Sequence, residues 1–184
     1  MSALRTGSLI GAIITMGLTA GLFWAYAYSV MNALANVDDR TFVDVFNKIN
    51  VAILNPWFAF CFGGGLVFAV IAALTHLDAD RRKVLLWVVV AAAFYVLALA
   101  ITMGINVPLN NGLAQVDPSD SAAMLAAARQ DFESKWVTWN IVRAGVHTAA
   151  FGVMCWALYQ AGRHAHDVTG VGASGHVAAM AGLG

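Results

Sequence analysis

Four long apolar stretches, at about residues 9–31, 56–75, 84–105 and 136–161, alternate with segments in which charged and turn-forming residues gather. Each is close to the roughly 20 helical residues that cross the hydrocarbon core of a bilayer. The pattern predicts an all-α membrane protein, a four-transmembrane-helix up-down bundle over residues 1–161. A lone Arg5 before the first stretch resembles the start of a signal peptide. The stretch is too long for a signal h-region, however, and no small-x-small site ends it, so it is expected to stay as a helix.

The intervening segments have patterns of their own. Residues 32–55 place Phe42, Val45, Phe46, Ile49 and Ile53 at helical spacing among Asp38, Asp39, Arg40, Asp44 and Lys48, which predicts a short amphipathic helix at the membrane interface. Asn55-Pro56 then supplies a cap and a first helical turn. Between the third and fourth stretches, Asp117-Pro118-Ser119-Asp120 is a turn-and-cap signal. An alanine-rich helix should follow to Lys135, outside the hydrocarbon or along its surface. The expectation is therefore short amphipathic helices in the two outer loops, with residues 162–184, rich in Gly and Ala but without periodicity, forming a flexible tail. Gly7, Gly11, Gly17, Gly21 and the run Gly63-Gly64-Gly65 point to close helix packing, because a mid-helix glycine costs about 1 kcal/mol against alanine.

Composition supports the membrane assignment and removes several functions. The 184 residues are 60% hydrophobic and 11% charged, with zero formal net charge, and mean hydropathy is +0.73. The lipid bilayer is thus the first partner, while the lack of any basic patch argues against nucleic acid. No Gly-x-Gly-x-x-Gly or P-loop offers a home to a nucleotide cofactor. No His-Glu or His-His pair at ligand spacing lies inside a span, and His164, His166 and His176 fall in the tail, so no metal site is expected. Cys61 and Cys155 should sit at different depths, too far apart for a disulfide. The short loop at 76–83 holds Arg81, Arg82 and Lys83, which places it and both termini in the cytoplasm under the positive-inside rule.

Alternating spans bring the end of the first, the start of the second, the end of the third and the start of the fourth to one outer end of the bundle. Pro108 should loosen or end the third helix, leaving carbonyls that Asn106 and Asn110 are suited to bond. On the fourth span Trp136, Trp139, Asn140, Arg143 and His147 follow i, i+3, i+4, i+7 spacing along one face. Tyr26 and Trp136 fit an interfacial aromatic belt. Arg143, two turns into a span with no intramembrane Asp or Glu to pair with, is a functional-site candidate by default. The candidate catalytic residues are Arg143, Asn140 and His147; the candidate substrate-binding residues are Trp139, Asn106, Asn110, Trp57, Asn55 and Tyr28.

Several of these residues belong to recurring motifs. Gly21-Leu22-Phe23, Val30-Met31, Ala33-Leu34, Ile49-Asn50, Asn55-Pro56-Trp57-Phe58, Asn106-Val107-Pro108-Leu109-Asn110 and Trp136-x-x-Trp139-Asn140-x-x-Arg143 together resemble the DUF1772, or anthrone oxygenase, family over about residues 9–161. The resemblance implies a four-helix membrane fold and an oxygenase that converts anthrones to anthraquinones with molecular oxygen and no recognised cofactor. His147 is not part of the family pattern. The functional expectation is a membrane-embedded, cofactor-independent oxygenase acting on a lipophilic, anthrone-like small molecule through oxyanion stabilisation. The alternative is a non-enzymatic membrane protein that binds a lipid, quinone or other lipophilic ligand, or a subunit of a larger assembly. A second copy of this chain, in a homo-oligomer, is a further candidate partner.

Overall fold

The computed structural model describes the backbone of residues 2–181 and the side chains of residues 2–163. Among the described residues, five helices follow one another: α1 Ala3–Leu34 and α4 Ala79–Leu113, α2 Asp39–Ala52, α3 Pro56–Thr75, and α5 Ala122–Ala181. All but α2 are long and apolar enough to cross a membrane. α1 packs on α3, α3 on α4, α4 on α5, and α5 back on α1, so the four spans close a ring in chain order. The flanks of this ring expose Ile14, Leu18, Val67, Val70, Leu86, Val89 and Ile141. Such a surface suits lipid and not water, and the protein is an integral membrane protein.

The starts of these helices are set locally. Asn55 Oδ1 accepts from the N–H groups of Trp57 and Phe58 at 3.0 and 3.1 Å, and Pro56 follows in the first turn of α3. Asp38 caps α2 by accepting from Thr41 Oγ1 at 2.6 Å and Thr41 N at 3.0 Å. These bonds hold the Asp38 carboxyl below the usual carboxylate range. Asp117 opens the turn before α5 by accepting from both Ser119 N and Ser119 Oγ.

Two departures from expectation matter, and one expectation is narrowed. The alanine-rich segment after Ser121 is not a separate surface helix, because it runs straight into the fourth span as the first turns of α5. No proline interrupts residues 122–161, and Ala, Arg, Glu and Lys all favour helix, so nothing in this stretch breaks it. α2 turns its apolar face onto the bundle, with Phe42, Val43 and Phe46 buried in a cluster with Phe132 and Trp136. Aromatic packing against protein therefore replaces the expected lipid contact. Pro108 does not end α4 but loosens it: Thr102–Asn106 widens to a π turn in which Val107 N–H bonds Thr102 O. A π turn absorbs the loss, since Pro108 has no N–H for the Gly104 carbonyl four residues back. α1 carries a second π turn at Tyr26–Val30. As for the tail, α5 continues to Ala181, and side chains from residue 164 onward lie outside the described residues, as does the expectation of flexibility placed on them.

Away from α2 the core is built from small residues, with Ala12, Ala69, Ala72, Ala91, Ala150 and Ala157 buried together. This lets the backbones approach. In the glycine run, Gly65 sits against Tyr95: a Cβ there would lie 2.5 Å from Tyr95 Cζ, whereas at Gly63 it would meet nothing within 4 Å. Tyr95 is itself fully buried, with its hydroxyl donating to Phe62 O at 2.7 Å. Gly65→Ala should therefore lower detergent-solubilised stability by roughly 1–3 kcal/mol through overpacking. Gly63→Ala should raise it by up to about 1 kcal/mol on helix propensity alone. Thermal unfolding of the two variants side by side checks the contrast.

Candidate functional site

Where α1, α3, α4 and α5 meet beneath α2, they enclose a cavity of about 310 Å³. That is near the lower end of the roughly 300–1,000 Å³ typical of small-molecule sites. Phe23 and Tyr26 come from α1, Phe46, Ile49 and Asn50 from α2, Phe58 and Phe62 from α3, Thr102, Met103, Val107 and Asn110 from α4, and Trp136 and Arg143 from α5; Ile53 and Leu54 complete the wall. The end of one span thus meets the start of the next all round, as an up-down bundle requires. Aromatic and aliphatic groups make most of this surface.

Arg143 is the charged group in it. The residue is 5% exposed, and its Nε and Nη2 donate to Asn140 Oδ1 at 3.2 and 3.0 Å. Its guanidinium carbon lies 4.0 Å from the centroid of the Phe23 ring and 5.3 Å from that of Trp136. Two aromatic faces thus flank the cation. Among the described residues no carboxylate pairs with it. Asn140 in turn donates through Nδ2 to Phe23 O at 3.0 Å, which ties α5 to α1. The same amide therefore orients the guanidinium and joins two helices.

Asn106 and Asn110 bond differently from the expected capping of freed carbonyls in their own helix. Asn110 Oδ1 accepts from Trp136 Nε1 at 2.7 Å, and Asn110 Nδ2 donates to Asn50 Oδ1 at 2.8 Å. A side-chain relay so links α5, α4 and α2. Asn106 is fully buried, donates to Trp136 O at 3.4 Å, and leaves its Oδ1 without a protein partner. It is not among the residues that line the cavity.

The other candidates lie elsewhere. His147 is fully buried, and neither ring nitrogen has a hydrogen-bond partner among the described residues. Its ring centroid lies 5.1 Å from that of Phe23 and 4.8 Å from that of Tyr95, and it does not line the cavity. Trp139 is 38% exposed, because the inward stripe of α5 runs Trp136, Asn140, Arg143, His147 and position 139 falls about 60° to its side. Trp57 is 81% exposed and Tyr28 67%, both pointing away from the bundle. Asn55 serves as the cap of α3. Phe23, Tyr26, Phe46, Phe62 and Trp136 are the lining residues that sequence reasoning left out or gave to packing and the interfacial belt. Their signal was present in the helical spacing, but an inward aromatic and a lipid-facing one look alike until the neighbouring helix is placed.

Taken together, these features define a polytopic α-helical membrane protein with a ligand-sized, mostly apolar chamber and one buried guanidinium facing it. The profile of the anthrone oxygenase family matches residues 54–153, and the chain belongs to that family. No curated protein and no solved structure matches it. The matched segment contains α3, α4, Asn140 and Arg143; the wall supplied by α1 and α2 lies outside it.

Because Arg143 bonds only within its own helix whereas Asn140 crosses to α1, the two should separate in mutagenesis. Arg143→Met should keep detergent-solubilised stability within about 1 kcal/mol, since it removes an expensive buried charge while filling similar volume. Asn140→Leu should cost about 2–4 kcal/mol by stranding both Phe23 O and a buried cation. Thermal unfolding of the two variants tests this order, and a larger loss for Arg143→Met would make the arginine the structural tie.

Proposed function

We propose that the cavity binds a flat, lipophilic anthrone-like ketone and that Arg143 stabilises the oxyanion formed when this substrate is oxidised by molecular oxygen without a cofactor. The observation that carries this reading is a buried guanidinium that, among the described residues, has no carboxylate beside it and is held by Asn140 through Nε and Nη2, so that Nη1 remains available to a ligand oxygen. Fixed donors in a low-dielectric site are the most effective way to stabilise developing negative charge.

The chemistry balances with dioxygen as the only co-substrate. Loss of a proton from the CH2 opposite the carbonyl gives an enolate whose oxygen rests on Arg143. This carbanion equivalent reduces O2 and bonds to it, giving a peroxide that takes up a proton. Loss of the second C–H proton with cleavage of the O–O bond leaves a new carbonyl and hydroxide, which becomes water. His147 does not line the cavity, so the role of base passes from it. Besides Arg143, Tyr26 is the lining residue able to exchange a proton, and its hydroxyl makes no hydrogen bond among the described residues. The reading therefore assigns it the proton transfers. Phe58, Phe62 and Trp136 supply ring faces for stacking.

Oxygen uptake by the purified protein with anthrone is the direct test. Arg143→Lys should lower kcat by about 10²-fold or more, because an ammonium keeps the charge but not the planar fork of donors. Saturable anthrone binding without oxygen uptake in the unmodified protein would replace the oxygenase with a ligand-binding protein.

The basic loop at Arg81, Arg82 and Lys83 supports placing the cavity end outside the cell and the termini inside. A cysteine at Ser119 should then react with an impermeant thiol reagent in intact cells, while one at Ala79 should not. Reversed labelling would put the cavity at the cytoplasmic end.

A further inference from the structure

The hydrogen-bond directions of the relay from Trp136 through Asn110 to Asn50 are determined by one group. An indole N–H can only donate, so Trp136 Nε1 forces Asn110 to present Oδ1 to it. Asn110 must then turn its NH2 toward Asn50, and Asn50 must answer with Oδ1. The Asn50 amide NH2 is left at the end of the relay, with no hydrogen-bond partner among the described residues, in a residue that lines the cavity. Thr102, which also lines it, spends its hydroxyl hydrogen on Ala98 O. The two amide oxygens in the wall each already accept one hydrogen bond, and what Arg143 and Asn50 offer a ligand is N–H.

We infer that Asn50 is a second anchoring group, and that the cavity selects flat ring systems carrying acceptor oxygens at two separate edges, one for Arg143 and one for Asn50, as a quinone does. The choice of ring system rests on the proposed oxygenase reading; the second anchor rests on the relay. In the oxidation this anchor would receive the carbonyl oxygen that dioxygen supplies, so that Asn50 recognises the oxidised form of the ligand. α2, which carries Asn50, lies over the mouth of the cavity and is held at its other end by Arg129, which reaches Asp39 Oδ1 at 3.1 Å and Val37 O at 2.7 Å. The anchor is therefore part of a packed element and not of a loose loop.

Anthrone and anthraquinone differ by one acceptor oxygen on the same rings, which makes them a matched pair for equilibrium dialysis against the full-length, detergent-solubilised protein under argon. The unmodified protein should bind the quinone about fivefold more tightly, the worth of one neutral hydrogen bond. Asn50→Asp still accepts from Asn110 but turns an oxygen in place of NH2 to the ligand. It should weaken quinone binding more than anthrone binding and so abolish that preference. Trp136→Phe removes the N–H that orients the relay, so it should bring the preference toward one by letting both amides reverse, which keeps the test available if the Asp variant does not fold. Equal binding of the two probes by the unmodified protein, or equal weakening of both by Asn50→Asp, overturns the second anchor alone. Failure to bind either probe overturns the anthrone-like reading as well.

Discussion

The Arg143 guanidinium is the constraint on which the cavity end of this protein depends. An ionised group inside a membrane span is tolerated only where its donors find oxygen or its charge finds something polarisable. Here Asn140 supplies the oxygen and the rings of Phe23 and Trp136 supply the faces. Each of those partners is itself held: Asn140 by Phe23 O, Trp136 by Asn110, and Asn110 by Asn50. Accommodating one cation thus connects α1, α2, α4 and α5 through polar and ring contacts around the cavity.

The two ends of the bundle solve different problems. Toward the 76–78 loop, alanines and the Gly65–Tyr95 fit bring the helices close and leave little room. Toward α2, aromatic side chains of Phe42, Phe46, Phe132 and Trp136 hold the helices apart, and π turns in α1 and α4 flank the chamber. A π turn inserts a residue and shifts the phase of the helix beyond it by about 100°. Tyr26 is buried in that turn of α1, and Thr102 and Asn106 in that of α4. α2 then closes the top, with Arg129 bonding the last carbonyls of α1 and pairing with Asp39. Small residues thus set the closed end and large ones the open end of the same helices.

Much of this was already determined by the sequence alone. Apolar run length dictated four spans, Asn55-Pro56 dictated where α3 begins, and the spacing of Trp136, Asn140 and Arg143 put them on one face, because these features depend only on a bilayer's thickness or on a helix's own period. The family resemblance was also legible in local motifs. What tertiary structure decided was everything that depends on a second helix. Trp139 and Trp136 are equally aromatic and three residues apart, yet only the packing of α1 and α2 shows that Trp136 points inward while Trp139 faces out. Amphipathic spacing in α2 does not distinguish lipid from protein as the surface it covers, and it took the Phe132–Trp136 cluster to choose protein. Asn50, Asn110 and Trp136 lie on three different helices, so no spacing rule connects them, and their hydrogen-bond order exists only once those helices are placed side by side.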